Sequence, residues 1–174
     1  DGKLVSKSGD VRIFEMDDEL FLEDGPTNLI HSDKKKSDYI WQISDKPKGN
    51  CLILGLGLGI TIKYLLSINK VKSITVLEDN KDIIKAQEKI SDIDKNKYKL
   101  INEEYLTYLY KCKDEYDFVF VDCYDRISEK TLPFIADIVA ASKKVLKPGG
   151  VLLGWLDNDT PEMIIEPFYS LFNT

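Results

Sequence analysis

CLILGLGLGITIKYLL, residues 51–66, places Gly55, Gly57 and Gly59 at alternate positions of an otherwise oily run. Cys51 to Leu54 read as a buried strand. The residues from Gly59 onward read as a helix over about 59–68. A strand that ends in three glycines has given up three side chains where the chain turns. Glycine tolerates positive φ and leaves no Cβ between backbone and ligand. The turn is therefore either a tight strand-to-helix connection or a cradle that brings its amides and the helix start against a bound group. The spacing is GxGxG, which is neither the GxGxxG of dinucleotide binders nor a phosphate loop followed by Lys-Ser/Thr.

Downstream of this turn, short and nearly continuous apolar runs alternate with helical stretches. Strands are predicted at 51–55, 73–78, 98–102, 117–122 and 151–156. Helices are predicted at about 59–68, 81–91, 103–111 and 130–146. Continuous apolar strands separated by helices mean a parallel sheet covered on both faces. Right-handed crossovers then give a doubly wound α/β domain with strand order 3-2-1-4-5. Ligands of such sheets sit beyond the carboxyl ends of the strands.

Upstream, residues 3–24 alternate apolar and polar. They carry turn signals at Ser8-Gly9-Asp10 and Asp17-Asp18, which predicts a small antiparallel β-meander. We therefore divide the chain into a meander over 1–28 and a Rossmann-like domain over 29–174, which opens with a helix at 33–44. Lys34, Lys35 and Lys36 lie beside Asp33 and Asp38 and read as a solvated helix start.

Acids fall at the strand ends. SITVLEDN ends in Glu78, 23 positions after Gly55, with Asp79 next to it. A carboxylate there can accept from both hydroxyls of a ribose, or it is simply a solvated acid after a strand. Glu103 follows the third strand, where an acid can accept from an adenine amino group or serve the first turn of a helix. YDFVFVDCYD brings Asp122 and Asp125 to the end of the fourth strand. Either is placed to take a proton from an attacking group, and Asp122 equally to cap the next helix.

The totals exclude several classes. With a net charge of −6 the chain would repel a phosphate backbone, so no nucleic-acid partner is expected. Three cysteines without a CxxC pair argue against disulfides and zinc and for a reducing, cytoplasmic setting. The single histidine, His31, leaves no material for a Ser-His-Asp or multi-histidine mechanism. No apolar run approaches the length of a membrane span, and no signal peptide is evident, so no membrane partner is expected.

In this order and spacing, the glycine loop, the strand-two acid, the strand-three acid, YDFVFVD and VLKPGG resemble the class I S-adenosylmethionine-dependent methyltransferases over roughly residues 35–157. The resemblance implies bound S-adenosylmethionine. Gly55, Leu56, Gly57 and Gly59 would lie along its methionine moiety, Glu78 with Asp79 at the ribose, and Glu103 near the adenine, with Asp122 closing the site. The meander, VLEDNKDII and the Asp-x-x-Asp of DCYD are further similar to spermidine synthases. There an aspartate matching Asp122 or Asp125 deprotonates an amine, and the donor is decarboxylated S-adenosylmethionine. Leu58 stands where that family carries a donor-binding acid.

The reading adopted is a methyltransferase acting on a small-molecule acceptor, with Asp122 or Asp125 as base. The alternatives are an aminopropyltransferase and a non-catalytic nucleoside-binding or assembly subunit. Asp122 with Asp157-Asn158-Asp159 also has the form of a magnesium site, but Asp157 reads equally as a helix start, and no metal is expected. The exposed meander edge predicts a homodimer or higher homo-oligomer.

Overall fold

In the computed structural model of the chain the described residues are 2–25, 29–124 and 126–173. The second half of the chain builds one five-stranded parallel sheet. Its strands are β5 (Gly49–Leu54), β6 (Val71–Glu78), β7 (Lys99–Asn102), β8 (Tyr116–Val121) and β9 (Leu146–Leu153). They lie in the order β7-β6-β5-β8-β9, which is the 3-2-1-4-5 arrangement of a doubly wound sheet. The central strand β5 pairs in parallel with β6 on one side and β8 on the other. Cys51, Leu52, Ile53 and Leu54 are completely buried, because helices cover both faces and leave no position for a polar residue.

The crossover helices are α2 (Ile60–Leu66), α3 (Lys81–Glu88), α4 (Tyr105–Lys111) and α5 (Leu132–Lys143). Helix α1 (Asp33–Ile40) precedes the sheet and α6 (Glu162–Leu171) follows it. They sort into packed groups, α1 against α2, and α5 against both α4 and α6. Among the described residues no helix is long and apolar enough to cross a membrane.

Ahead of α1 lies a separate antiparallel sheet, β1 (Lys3–Ser8), β2 (Val11–Met16), β3 (Glu19–Asp24) and β4 (Leu29–Ser32), in sequential order. Asp17 and Asp18, which join β2 to β3, both have positive φ, the signature of the two-residue turn that matches strand twist. The meander thus extends past the expected limit at residue 28. Strand β4 is four residues long and runs directly into α1, which is too short to display an alternation in sequence. The sheet is fastened to α3: Ser6 Oγ donates to the Ala86 carbonyl (2.6 Å) and Ser8 Oγ to Asp82 (2.8 Å).

The last strand also differs from expectation. Strand β9 starts at Leu146 and ends at Leu153, whereas the sequence suggested 151–156. Tyr116 pairs with Leu146 and Phe118 already with Val151, so the Pro-Gly-Gly turn is looped out of the ladder inside the strand. The far end is cut short by a side chain. The Tyr124 hydroxyl accepts from the Trp155 amide (2.7 Å) and donates to the Trp155 carbonyl (2.7 Å), replacing the ladder there. Gly154 makes this possible. A Cβ on it would lie 2.6 Å from Phe172, 2.9 Å from the Tyr124 hydroxyl and 3.1 Å from Phe168. Gly154→Ala is expected to cost about 1–3 kcal/mol in urea unfolding through overpacking of the α6 aromatics. An unchanged midpoint would mean that α6 is not held in this place.

Candidate functional site

The carboxyl ends of β5, β6 and β8 meet at the glycine loop. All three loop glycines have positive φ: 113° at Gly55, 52° at Gly57 and 80° at Gly59. At Gly55 the constraint is also steric, because a Cβ would overlap the Asp122 carbonyl. At Gly57 a Cβ would meet nothing within 4 Å, because that position faces open space. The missing side chains thus serve two purposes. One lets β5 pass the end of β8, and the other leaves the floor of a cavity bare.

That cavity has a volume of about 760 Å³. Five carboxylates line it (Asp24, Glu78, Asp79, Asp82 and Asp122) against two lysines, Lys36 and Lys81. Such a lining favours a cation over an anion. The meander contributes directly, because Asp24 at the end of β3 accepts from the Asn80 side-chain amide (3.3 Å).

Glu78 is the brace of the loop. Its Oε1 accepts from the Leu56 amide (2.9 Å), and its Oε2 accepts from the Asn80 amide (3.1 Å) and lies 3.4 Å from the Tyr105 hydroxyl. With only 4% of its surface exposed, burial pushes its pKa up to about 7, against the opposing pull of the two amides. Oε1 keeps a second lone pair, so the site retains an acceptor where a ribose hydroxyl would donate.

Asp122 continues β8, its amide donating to the Leu54 carbonyl (2.8 Å). Its carboxylate is fully engaged. Oδ1 accepts from the Lys36 ammonium and Oδ2 from the Thr61 hydroxyl at 3.1 Å. Gly55, Leu56, Gly57, Glu78, Asp79 and Asp122 all line the cavity. Gly59, by contrast, sits at the N-cap of α2 with Gln87 and Ile93 beside it.

Glu103 is placed differently: its carboxylate pairs with Lys111 on α4, and Asn102 takes the position on the cavity wall. Glu104 is the residue that caps α4, accepting the Leu106 and Thr107 amides, which leaves Glu103 turned along the helix surface. Asp125 lies outside the described residues. Asp157 accepts from the Thr160 hydroxyl (2.8 Å) and faces Lys35, as a turn residue before α6 would. Burial raises the Cys123 thiol well above its ordinary value, so it is a packing group at the wall and not a thiolate.

Two site residues escaped the sequence reading. Lys36 is drawn inward and is 16% exposed, while Lys34 and Lys35 are solvated. Its place one turn before the buried Tyr39 and Ile40 is the signal that could have found it. Thr61 is a buried polar residue in the first turn of α2, and nothing local marks it.

A parallel sheet of this order, with a glycine loop after the first strand and an acid after the second, has the class I S-adenosylmethionine-methyltransferase type of fold. Within that class the chain belongs to the spermine/spermidine synthase domain family, whose profile it matches over residues 38–158. It is 26% identical over 122 residues to a polyamine aminopropyltransferase of Prochlorococcus marinus (strain AS9601), covering 66% of this chain and 42% of that protein. It is 23% identical over 137 residues to a polyamine aminopropyltransferase of Saccharolobus islandicus (strain Y.N.15.51 / Yellowstone #2), covering 74% of this chain and 45% of that protein. The chain thus spans less than half the length of these relatives. The crystal structure of spermidine synthase from Thermotoga maritima superposes with a TM-score of 0.71 at 21% identity, over 96% of this chain and 60% of that one. These findings overturn the methyltransferase reading. The motifs that suggested it belong to the shared fold, and the family match falls on the spermine/spermidine synthase domain.

The buried acid has a measurable consequence. Below about pH 4.5 Glu78 is protonated in both the folded and the unfolded chain. Between about pH 4.5 and 7 the unfolded chain ionises while the folded one keeps its proton, so stability falls as the pH rises across that window and levels off above it. The fall attributable to Glu78 is about 3 kcal/mol. Denaturant unfolding from pH 4.5 to 7.5 should show this slope in the wild type and its loss in Glu78→Gln. Parallel curves would show that Glu78 ionises normally.

Proposed function

We propose that this domain is the donor-binding part of an aminopropyltransferase. It would take decarboxylated S-adenosylmethionine and direct its aminopropyl group to an amine acceptor. The observation that carries this reading is the excess of carboxylates around a cavity whose floor is bare glycine. A sulfonium nucleoside with an amine tail is cationic at both centres and matches that lining. The polyamine aminopropyltransferases to which the chain is similar support the same assignment.

The donor supplies an activated carbon next to a sulfonium. The acceptor nitrogen bonds to that carbon as the carbon–sulfur bond breaks, its electron pair stays on sulfur, and the nitrogen sheds a proton. The protein's share is position and charge. Leu56 and Gly57 present backbone where a side chain would block the nucleoside. Glu78 offers the remaining lone pair of Oε1 to the ribose. Asp122, at the mouth, is the carboxylate that meets the acceptor nitrogen and takes its proton. The position matching the family's donor-binding acid is Leu58, half-buried in the cavity wall. Charge recognition of the donor amine therefore falls to the other carboxylates.

Calorimetric titration tests this. Decarboxylated S-adenosylmethionine is expected to bind at least roughly tenfold more tightly than S-adenosylmethionine, whose carboxylate adds a like charge to an acidic cavity. Tighter binding of the carboxylated form, or binding of neither, would overturn the reading. A second check is Gly57→Ala. The methyl group occupies open space at a left-handed position, so folding should lose only about 1 kcal/mol, while donor affinity should fall at least tenfold.

A further inference from the structure

Lys36 carries the only ammonium held against Asp122 among the described residues, and its surroundings are those of a bound ligand more than of a surface ion pair. Its side chain is 16% exposed and that of Asp122 is 8% exposed. The ammonium donates to Asp122 Oδ1 and lies over the Trp155 ring, 3.9 Å from its centroid. Trp155 in turn stacks on Tyr39 at 5.5 Å and on Tyr124 at 5.2 Å, which fixes the indole. The other carboxylate oxygen of Asp122 is oriented by Thr61. A carboxylate with one oxygen pinned, beside an immobilised aromatic ring, is a receptor for a primary alkylammonium. Its rigidity comes from α2, β8 and the segment after β9. Lys36 comes from a different element, α1, on a four-carbon stem that reaches in from the rim.

Resting on the aminopropyltransferase reading, we propose that Asp122, Thr61 and Trp155 form the acceptor's ammonium site and that Lys36 occupies it as a tethered stand-in, which a substrate amine must displace. The consequence is selectivity. A tethered competitor is present at high effective concentration, so the site rejects simple monoamines. It admits an acceptor whose second ammonium gains a further carboxylate of the cavity, so Lys36 sets the margin by which a diamine is preferred over a monoamine. Displacement costs the fold little, because Lys36 lies at the rim and its ammonium can move into solvent. Proton transfer to Asp122 then becomes possible only after Lys36 has left, so the ion pair also keeps the base occupied when no acceptor is present.

Propylammonium is the head group of Lys36 without the tether, and it is the probe. It is titrated into the wild type, Lys36→Ala and Lys36→Ser, and 1,4-diaminobutane and decarboxylated S-adenosylmethionine are titrated in parallel. Both variants should bind propylammonium at least tenfold more tightly than the wild type. Their melting temperatures, lowered by the unpaired Asp122, should rise with millimolar propylammonium and not with potassium chloride of equal ionic strength. The preference of the wild type for the diamine over the monoamine should shrink in both variants, and Asp122→Asn added to Lys36→Ala should abolish the gain. Amine affinity that is unchanged or weaker in both variants would overturn the proposal and leave Lys36 a structural clamp. The donor titration separates the two readings. Donor binding without the amine gain would leave the aminopropyltransferase reading standing alone. An amine gain without donor binding would keep the ammonium site and remove the reading it was placed in.

Discussion

The site depends on how closely three parallel strands converge. Where β5 leaves the sheet, the Gly55 amide donates to the Leu77 carbonyl of β6 (2.8 Å), and the Asp122 amide of β8 donates to the Leu54 carbonyl (2.8 Å). Any Cβ at residue 55 would collide with the neighbouring strand, so the turn must be glycine before any question of ligand arises. Glu78 then completes the brace by accepting the Leu56 amide. A loop without side chains would otherwise have many conformations, and freezing it is costly in entropy. Here a buried carboxylate holds it, and the desolvation of that carboxylate is the cost. Preorganisation of the cradle and instability of the acid are therefore one interaction seen from two sides.

Charge is distributed around that cradle with a direction. The floor is bare glycine backbone, one wall carries Glu78, Asp79 and Asp82, and the meander adds Asp24. The N-terminal sheet is thus part of the site, clamped to α3 by Ser6 and Ser8 so that the end of β3 faces the loop that follows β6. On the opposite side Asp122 is paired in contact with Lys36. The cavity therefore has an acid-rich wall and a side whose charge is conditional on where Lys36 sits. A cationic ligand would see both, the first as attraction and the second as competition.

How much of this was legible follows from the range of each interaction. Strand and helix order could be read because burial on both faces of β5, β6 and β8 forces continuous apolar runs, a signal contained within each segment. The glycine loop and Glu78 could be read because their role is fixed by chain topology. Lys36 could not be weighed correctly, because its inward turn depends on Asp122, 86 positions away, and on Trp155 beyond it. A lysine triplet beside aspartates looks solvated to any local criterion. Glu103 failed for a local reason that sequence leaves degenerate. Two adjacent glutamates both suited the start of α4, and the cap went to Glu104. Strand β4 and the looped-out Pro-Gly-Gly of β9 were missed because both are set by pairing partners and not by their own composition.

The family match, set against the methyltransferase reading, shows where family-level information resides in such a fold. Methyl and aminopropyl transfer are both displacements at a carbon bonded to the same sulfonium sulfur, so the loop, the acid after the second strand and the strand order would serve either one equally. What separates them is the character of the groups facing the two ends of the donor. A methyl donor carries a carboxylate, which needs a cationic or amide-rich contact. In this cavity Lys36 has its charge spent on Asp122, and carboxylates outnumber lysines five to two along the lining. An anionic tail meets an excess of like charge, whereas an amine tail meets carboxylates already in place. The electrostatics of the walls, more than the glycine loop that first drew the comparison, therefore bear the distinction between the two chemistries.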